Sequence, residues 1–351
     1  MKEKKLIIVL GSMGRGGAER VISYVSEYFA LKNWKVWIVL LLSNKVEYSL
    51  HENVCVVDLS GTTESRWKRL PFWLINLRKI VNEVQPDSIL SFAARINVIV
   101  QIACMGLKKK IIVSERNDPY SDGRSAMVDL LTSWLYPKAD GVVFQTKRAA
   151  SYFKNIELHN AHIIPNPISV ECKAGETKRG KIVTVGRLTA QKNQKMLIDA
   201  FVDIKKIHPF AELHIFGEGE LREVLSKQIA EYGLMDSVFL RGNVKDIHRQ
   251  ILDAEIFVLS SDYEGLSNAL LEAMMMGLPC VSTNCAGADE YIINEKNGLL
   301  INVGSREEMK EALDELISDA NKREIYGEEA AKSVVNLNKE QIMKLWYSVI
   351  S

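Results

Sequence analysis

Proline is scarce, with eight in 351 residues, and no low-complexity tract is present. Long disordered stretches are therefore excluded. No repeat of fixed period is found, which excludes solenoids. No apolar run reaches the roughly 20 residues that span a bilayer. The start, from Met1 to Gly11, has too short an apolar core for a secretory leader and reads as a first buried strand. The five cysteines (Cys55, Cys104, Cys172, Cys280, Cys285) form no CxxC pair, and their number is odd. A reduced, cytoplasmic setting is expected. The six histidines show no ligand spacing near them, so zinc is not expected.

What is present is ordinary for a globular chain, at 47% hydrophobic and 25% charged. The length supports large cores and two or three domains. The net charge of +1 conceals an asymmetry. Residues 1–170 carry 23 Lys+Arg against 15 Asp+Glu, a balance of +8, and the remainder carries 22 against 29, a balance of −7. The basic half suits an anionic surface or substrate, and an anionic membrane face fits at least as well as any other. Nucleic acid is not expected, because no recognisable motif for it occurs.

Short β-branched runs alternate with amphipathic stretches. Leu6–Leu10, Val36–Leu42, Val54–Leu59, Ser88–Phe92, Lys110–Ser114, Gly141–Gln145 and His162–Ile164 read as strands, with helices between them. Pro165-Asn166-Pro167 and the polar residues after it break the pattern. The alternation restarts at Ile182–Val185 and continues through Glu212–Phe216, Val238–Leu240, Ile256–Leu259, Cys280–Thr283 and Gly298–Ile301. The expected fold class is α/β, with two doubly wound, Rossmann-like domains and a cleft between them. The expected boundaries are 1–168, 169–335, and a last helix, 336–351, that packs back on the first domain.

Several loops behind these strands carry chemistry. Ser261-Asp262-Tyr263-Glu264-Gly265-Leu266-Ser267-Asn268 follows an apolar strand, and Glu272 lies on the helix that comes next. Ser267 is a helix N-cap candidate, and Gly277 and Pro279 stop the helix. Two carboxylates thus flank a helix N-terminus that favours an anion. A nucleotide-sugar would use both groups, whereas the bland reading is two solvated glutamates. Gly186-Arg187-Leu188-Thr189-Ala190-Gln191-Lys192-Asn193 places two cations on one loop, able to neutralise a diphosphate. Phe216-Gly217-Glu218-Gly219-Glu220 makes a tight turn whose acids can equally be helix N-terminal residues. Arg241-Gly242-Asn243-Val244 is a further glycine turn. Gly14-Arg15-Gly16-Gly17-Ala18-Glu19-Arg20 follows the first strand and matches neither a Walker loop nor GxGxxG.

In order and spacing, GRGGAER, GRLTAQKNQ, FGEGELR, FLRGNV and EGLSNALLEAMMMGLPCVST resemble the retaining family 4 glycosyltransferases of GT-B fold. Glu264 and Glu272 match that family's E-x7-E motif. The resemblance implies that Arg187 and Lys192 bind the donor diphosphate, and that Glu272 bonds the ribose and Glu264 the donor sugar. The backbone of Gly265, Leu266, Ser267 and Asn268 would touch phosphate and sugar. The turn at Arg241, Gly242, Asn243 and Val244 would face the base. Gly16 and Gly17 would lie against the donor phosphates and the acceptor, and Gly186, Gly217 and Glu218 complete the donor loops. No cofactor and no metal are implied, in keeping with the absence of a D-x-D pair. UDP is the expected nucleotide on family frequency.

One position departs from the family. Many members of that family carry a histidine after the strand at Lys110–Ser114, where this chain has Ser114-Glu115-Arg116. Arg116 cannot act as a base. It is taken as a candidate catalytic group, stabilising charge near the leaving phosphate or binding an anionic acceptor. The segment Arg66–Ile80 mixes cations with Trp67, Phe72 and Trp73, and Lys108-Lys109-Lys110 adds charge. It reads as a membrane-interface helix, with a core-packing helix as the bland alternative. The expected function is hexose or N-acetylhexosamine transfer to a lipid-linked saccharide, by a protein peripheral on the inner face of the cell membrane. A nucleotide-sugar isomerase and a non-catalytic sugar-nucleotide-binding protein are the rivals.

Overall fold

The structure is a computed structural model that describes residues 3–14, 16–61, 69–170, 172, 175–285 and 287–351. Arg15 of the first glycine loop and Arg66, Trp67 and Lys68 of the basic–aromatic segment lie outside the described residues. The chain forms two compact units, Met1–Pro167 with Lys339–Ser351, and Ile168–Asn338.

The first unit runs β1 (Lys5–Leu10), α1 (Gly17–Leu31), β2 (Lys35–Leu40), β3 (Val54–Asp58), α2 (Leu70–Val84), β4 (Ser88–Phe92) and α3 (Ala94–Ala103). It continues with β5 (Lys110–Ser114), α4 (Ala126–Leu135), β6 (Gly141–Phe144), α5 (Lys147–Ser151) and β7 (Ala161–Ile163). Its seven strands pair in parallel in the order β3-β2-β1-β4-β5-β6-β7. A parallel sheet is covered on both faces, so its inner strands must be apolar throughout. Leu6, Ile7, Ile8 and Val9 of β1 are accordingly buried.

The second unit runs β8 (Lys181–Val185), α6 (Gln194–Ile207), β9 (Glu212–Phe216), α7 (Arg222–Glu231), β10 (Val238–Gly242), α8 (Ile247–Ile251) and β11 (Ile256–Leu259). It ends with α9 (Asn268–Met276), β12 (Cys280–Thr283), β13 (Leu299–Ile301), α10 (Arg306–Ser318) and α11 (Ala320–Val334). Its six strands are parallel in the order β10-β9-β8-β11-β12-β13. The last helix, α12 (Lys339–Ile350), belongs to the first unit. There Trp346 is fully buried and stacks on Phe92 at 5.7 Å, and Ser88 Oγ donates to the Ile350 carbonyl at 2.6 Å.

Both sheets reverse their strand order once, between β1 and β4 and between β8 and β11. Ligands of open α/β sheets bind beyond the strand ends at such a reversal. The loops after β8 and β11 are those the sequence singled out.

The segment read as a membrane-interface helix starts, in its described part, at Leu70, and its Trp73 is buried in the core with its indole N–H on the Leu59 carbonyl at 3.0 Å. Helix α8 begins only at Ile247. Asn243 and Val244 therefore lie in a loop.

Candidate active site

The site in the second unit is built on glycines that let backbones touch. Gly217 has φ +134°, and a Cβ there would lie 2.0 Å from the Gly186 carbonyl oxygen. Its N–H donates to the Gly242 carbonyl, and the Gly186 N–H donates to the Phe216 carbonyl, both at 2.9 Å. The ends of β8, β9 and β10 thus close on one another through Gly186, Gly217 and Gly242. The fold itself demands glycine at 217. Glu218, on the turn that follows, pairs with Arg222 at 2.7 Å.

Lys192 stands at the end of a 3-10 turn, Ala190–Lys192. Asn193 next to it takes a left-handed conformation, φ 44° and ψ 42°, and caps α6 by accepting from the Met196 N–H at 3.2 Å. This turn is latched to the loop after β11. The Asp262 N–H donates to the Gln191 carbonyl at 2.9 Å, and Asn193 Nδ2 donates to Asp262 at 2.7 Å. Within the latch, Lys192 Nζ donates to Glu264 Oε1, which also accepts from Ser261 Oγ at 2.6 Å. Glu264 is buried and Lys192 nearly so. Among the described residues no second acceptor meets the Lys192 ammonium, so two of its three N–H groups remain for an anion. Arg187, on the same loop, is exposed and makes no side-chain hydrogen bond among the described residues.

On the far side of the β11 loop the expected caps form. Ser267 Oγ accepts from the Leu270 N–H at 3.4 Å, and Gly277 closes α9 with φ +85°. The backbone of Gly265 and Leu266 is backed by Gly287, where a Cβ would lie 2.7 Å from the Gly265 carbonyl. Asn268 opens α9, and one turn further Glu272 is buried and meets His248 Nε2 at 3.1 Å. Sequence reasoning missed His248. It sits on α8, and nothing in its spacing to Glu272 signals the contact. Burial, with the nearby Glu264 charge adding to it, pushes the Cys285 thiol up to about 12. The Arg241 guanidinium lies over the Phe239 ring at 4.5 Å and donates through Nε to His214 Nδ1 at 3.2 Å.

In the first unit, Gly16 caps α1 from an extended conformation and its carbonyl accepts from Tyr48 at 3.1 Å. A Cβ on Gly16 would lie 2.2 Å from the Glu19 carboxylate, and Gly17 begins the helix. Ala93, directly after β4, holds φ +76° and ψ 139°, a strained conformation for a residue with a side chain. Arg116 is 6% exposed. It donates through Nη2 to Asn166 and lies over the Phe92 and Trp346 rings at 5.2 and 6.0 Å. Its Nε and Nη1 are buried and have no partner among the described residues. Burial lowers its pKa, yet the guanidinium stays charged at neutral pH. Beside it, Glu115 accepts from Tyr136 and Arg124, and burial raises its pKa.

The profile of a family described as Glycosyltransferase Family 4 matches residues 15–171, and that of Glycosyl transferases group 1 matches residues 172–333. This chain belongs to the family 4 glycosyltransferases. The transferase is 29% identical to the Campylobacter jejuni N-acetylgalactosamine-N,N'-diacetylbacillosaminyl-diphospho-undecaprenol 4-α-N-acetylgalactosaminyltransferase, over 97% of this chain and 98% of that protein. It is 30% identical to an uncharacterised glycosyltransferase of Methanocaldococcus jannaschii, over 68% of this chain and 67% of that one. Among solved structures it resembles Anabaena HepE in complex with UDP and glucose, with a TM-score of 0.84, 18% identity and 99% of each chain covered. That likeness concerns the fold, which is GT-B.

Proposed function

We propose that this transferase moves a hexose or N-acetylhexosamine from a UDP-linked donor to a saccharide carried on a polyprenyl diphosphate, with retention of configuration and without a metal. The observation that carries the donor side is the latch across the β8/β11 reversal, where Lys192 and Glu264 meet beside an exposed Arg187. Arg187 and the two remaining N–H groups of Lys192 take the diphosphate. They stabilise the negative charge that grows on it as the glycosidic bond breaks. The amides of Gly265–Asn268 add the partial charge of the α9 N-terminus. Glu264, positioned by Lys192 and Ser261, contacts the donor sugar. Glu272, positioned by His248, takes the ribose hydroxyls. The Gly242–Val244 backbone faces the base, and Gly186, Gly217 and Glu218 shape the floor. The departing phosphate accepts the acceptor proton on the same face.

The first unit supplies the acceptor side, with Gly16 and Gly17 at its glycine loop. Arg116 orders Asn166 and the Phe92–Trp346 stack, and its buried Nε and Nη1 groups are the donors that would stabilise charge near the leaving phosphate or bind an anionic acceptor. The lipid-linked acceptor is drawn from the name of the Campylobacter relative. The test offers a panel of nucleotide-sugars with and without undecaprenyl-diphosphate-linked saccharide. Donor-specific transfer that Lys192→Ala abolishes is expected. Conversion of the donor alone would favour an isomerase, and binding without turnover a non-catalytic protein.

A further inference from the structure

The loop after β2 is tied to the glycine loop at several points. The Leu41 N–H donates to the Leu10 carbonyl at 3.0 Å, and the Leu42 and Ser43 N–H groups meet the Gly11 carbonyl at 2.8 and 3.1 Å. Further on, the Met13 N–H donates to the Lys45 carbonyl and the Glu47 N–H to the Met13 carbonyl, both at 2.9 Å. Met13 and Val46 pair there as an isolated parallel bridge, and the Met13 side chain is fully buried. The last tie is made by Tyr48, whose hydroxyl donates to the Gly16 carbonyl at 3.1 Å. Residues 42–48 therefore form a strap along the glycine loop. Leu42, Asn44, Lys45, Val46 and Glu47 are exposed, so the strap adds little apolar burial of its own. What it adds is order in the loop beside it.

The Gly16 carbonyl takes two donors. One is the Arg20 N–H at 3.0 Å, the first hydrogen bond of α1, and the other is the Tyr48 hydroxyl. A helix start needs only the former. In a planar trans peptide the C=O and the N–H point opposite ways. Two donors on the Gly16 oxygen therefore fix the plane of the Gly16–Gly17 peptide and turn the Gly17 N–H away from the strap. Gly17 is the first residue of α1, and its N-cap, Gly16, offers no side-chain hydrogen bond. The Gly17 N–H is one of the donors that a helix start leaves for other partners. With the Arg20 bond alone, this plane would rest on two glycines, the residues with the widest backbone freedom. Tyr48 is suited to hold it. The ring is half-buried, and burial raises its phenol pKa, so the hydroxyl keeps its proton and goes on donating.

We propose that Tyr48 is a positioning residue of the transfer reaction, which through the Gly16 carbonyl holds the Gly17 amide toward the substrate oxygen that meets the glycine loop. The proposal rests on the functional reading above for the place of Gly16 and Gly17. The experiment is steady-state kinetics of the wild type, Tyr48→Phe and Asn44→Ala, with the nucleotide-sugar and the undecaprenyl-diphosphate-linked acceptor varied in turn. Melting temperatures and amide hydrogen exchange are measured on the same samples. Tyr48→Phe keeps the ring and removes one O–H. It should lower kcat/KM about fivefold, the worth of one hydrogen bond, with the melting temperature unchanged and faster exchange around Gly17. The substrate whose KM rises identifies the oxygen that the amide meets. Asn44→Ala, on an exposed part of the strap, should behave as the wild type. Wild-type kcat/KM in Tyr48→Phe overturns the proposal, and a lowered melting temperature with kcat/KM intact makes the contact a structural one. No transfer by the wild type overturns the functional reading and this proposal with it, whereas wild-type transfer matched by Tyr48→Phe overturns the proposal alone.

Discussion

Replacing Lys192 by Met keeps the stem that packs under Gly186, whose added Cβ would lie 3.2 Å from Lys192 Cε, and removes only the charge. Glu264 is then left 9% exposed, with the Ser261 hydroxyl as its remaining hydrogen-bond partner among the described residues. At roughly 3 Å and an effective dielectric of about 20, the lost attraction is about 5 kcal/mol, part of which only offset desolvation. Breaking a buried pair by removing one partner costs about 3–5 kcal/mol. Since Lys192 is 15% exposed, the lower end, about 3 kcal/mol, is expected. For a unit of this size that lowers the melting temperature by about 6–12 °C. Lys192→Met with Glu264→Gln leaves no buried charge, so the double variant should be more stable than the sum of the single losses by about 2 kcal/mol. The assay has an internal control. All six tryptophans lie in the first unit, so their fluorescence follows that unit while far-UV circular dichroism follows both. Only the dichroism transition should move. Transfer activity should be lost in both single variants and should not return in the double one, because stability and chemistry draw on different atoms of the pair. Additivity of the two single losses to within about 0.5 kcal/mol would refute the coupling and the latch it describes.

Gly217→Ala should cost on the order of 3 kcal/mol or more, since its Cβ would meet a carbonyl oxygen at 2.0 Å, whereas Gly233→Ala, at φ +65° with nothing within 4 Å, should cost about 1 kcal/mol; urea titration separates them. Ala93→Gly should relieve the strain at φ +76° and stabilise the first unit by about 1 kcal/mol, seen as a later tryptophan transition. Burial, chiefly, lowers the pKa of His214 below its ordinary 6.5, so the unfolded chain binds the extra proton first and stability of the second unit should fall as pH drops below about 6.5; His214→Gln should flatten that slope in melts between about pH 7.5 and 5.5.

The fold and the place of the site were largely legible because their signals are local. Apolar β-branched runs give buried parallel strands, and Ser267 and Gly277 mark the ends of α9 by cap chemistry that needs no distant partner. The loops at Gly186 and Glu264 were visible as glycines and charges directly behind strands. Where local signals misled, packing was the reason. Trp73 shares its helix with cations, yet its ring fills the core and its N–H finds the Leu59 carbonyl.

By itself the sequence determined two doubly wound α/β units, the strands that feed the loops, and membership of family 4 through motifs in their proper order. Only tertiary structure decided which charges meet. Lys192 and Glu264 are 72 residues apart and are joined because β8 and β11 are neighbours across the strand-order reversal. His248 reaches Glu272 because α8 is carried to α9 by the sheet, and Arg116 is sunk beneath α12, whose Trp346 arrives from the far end of the chain.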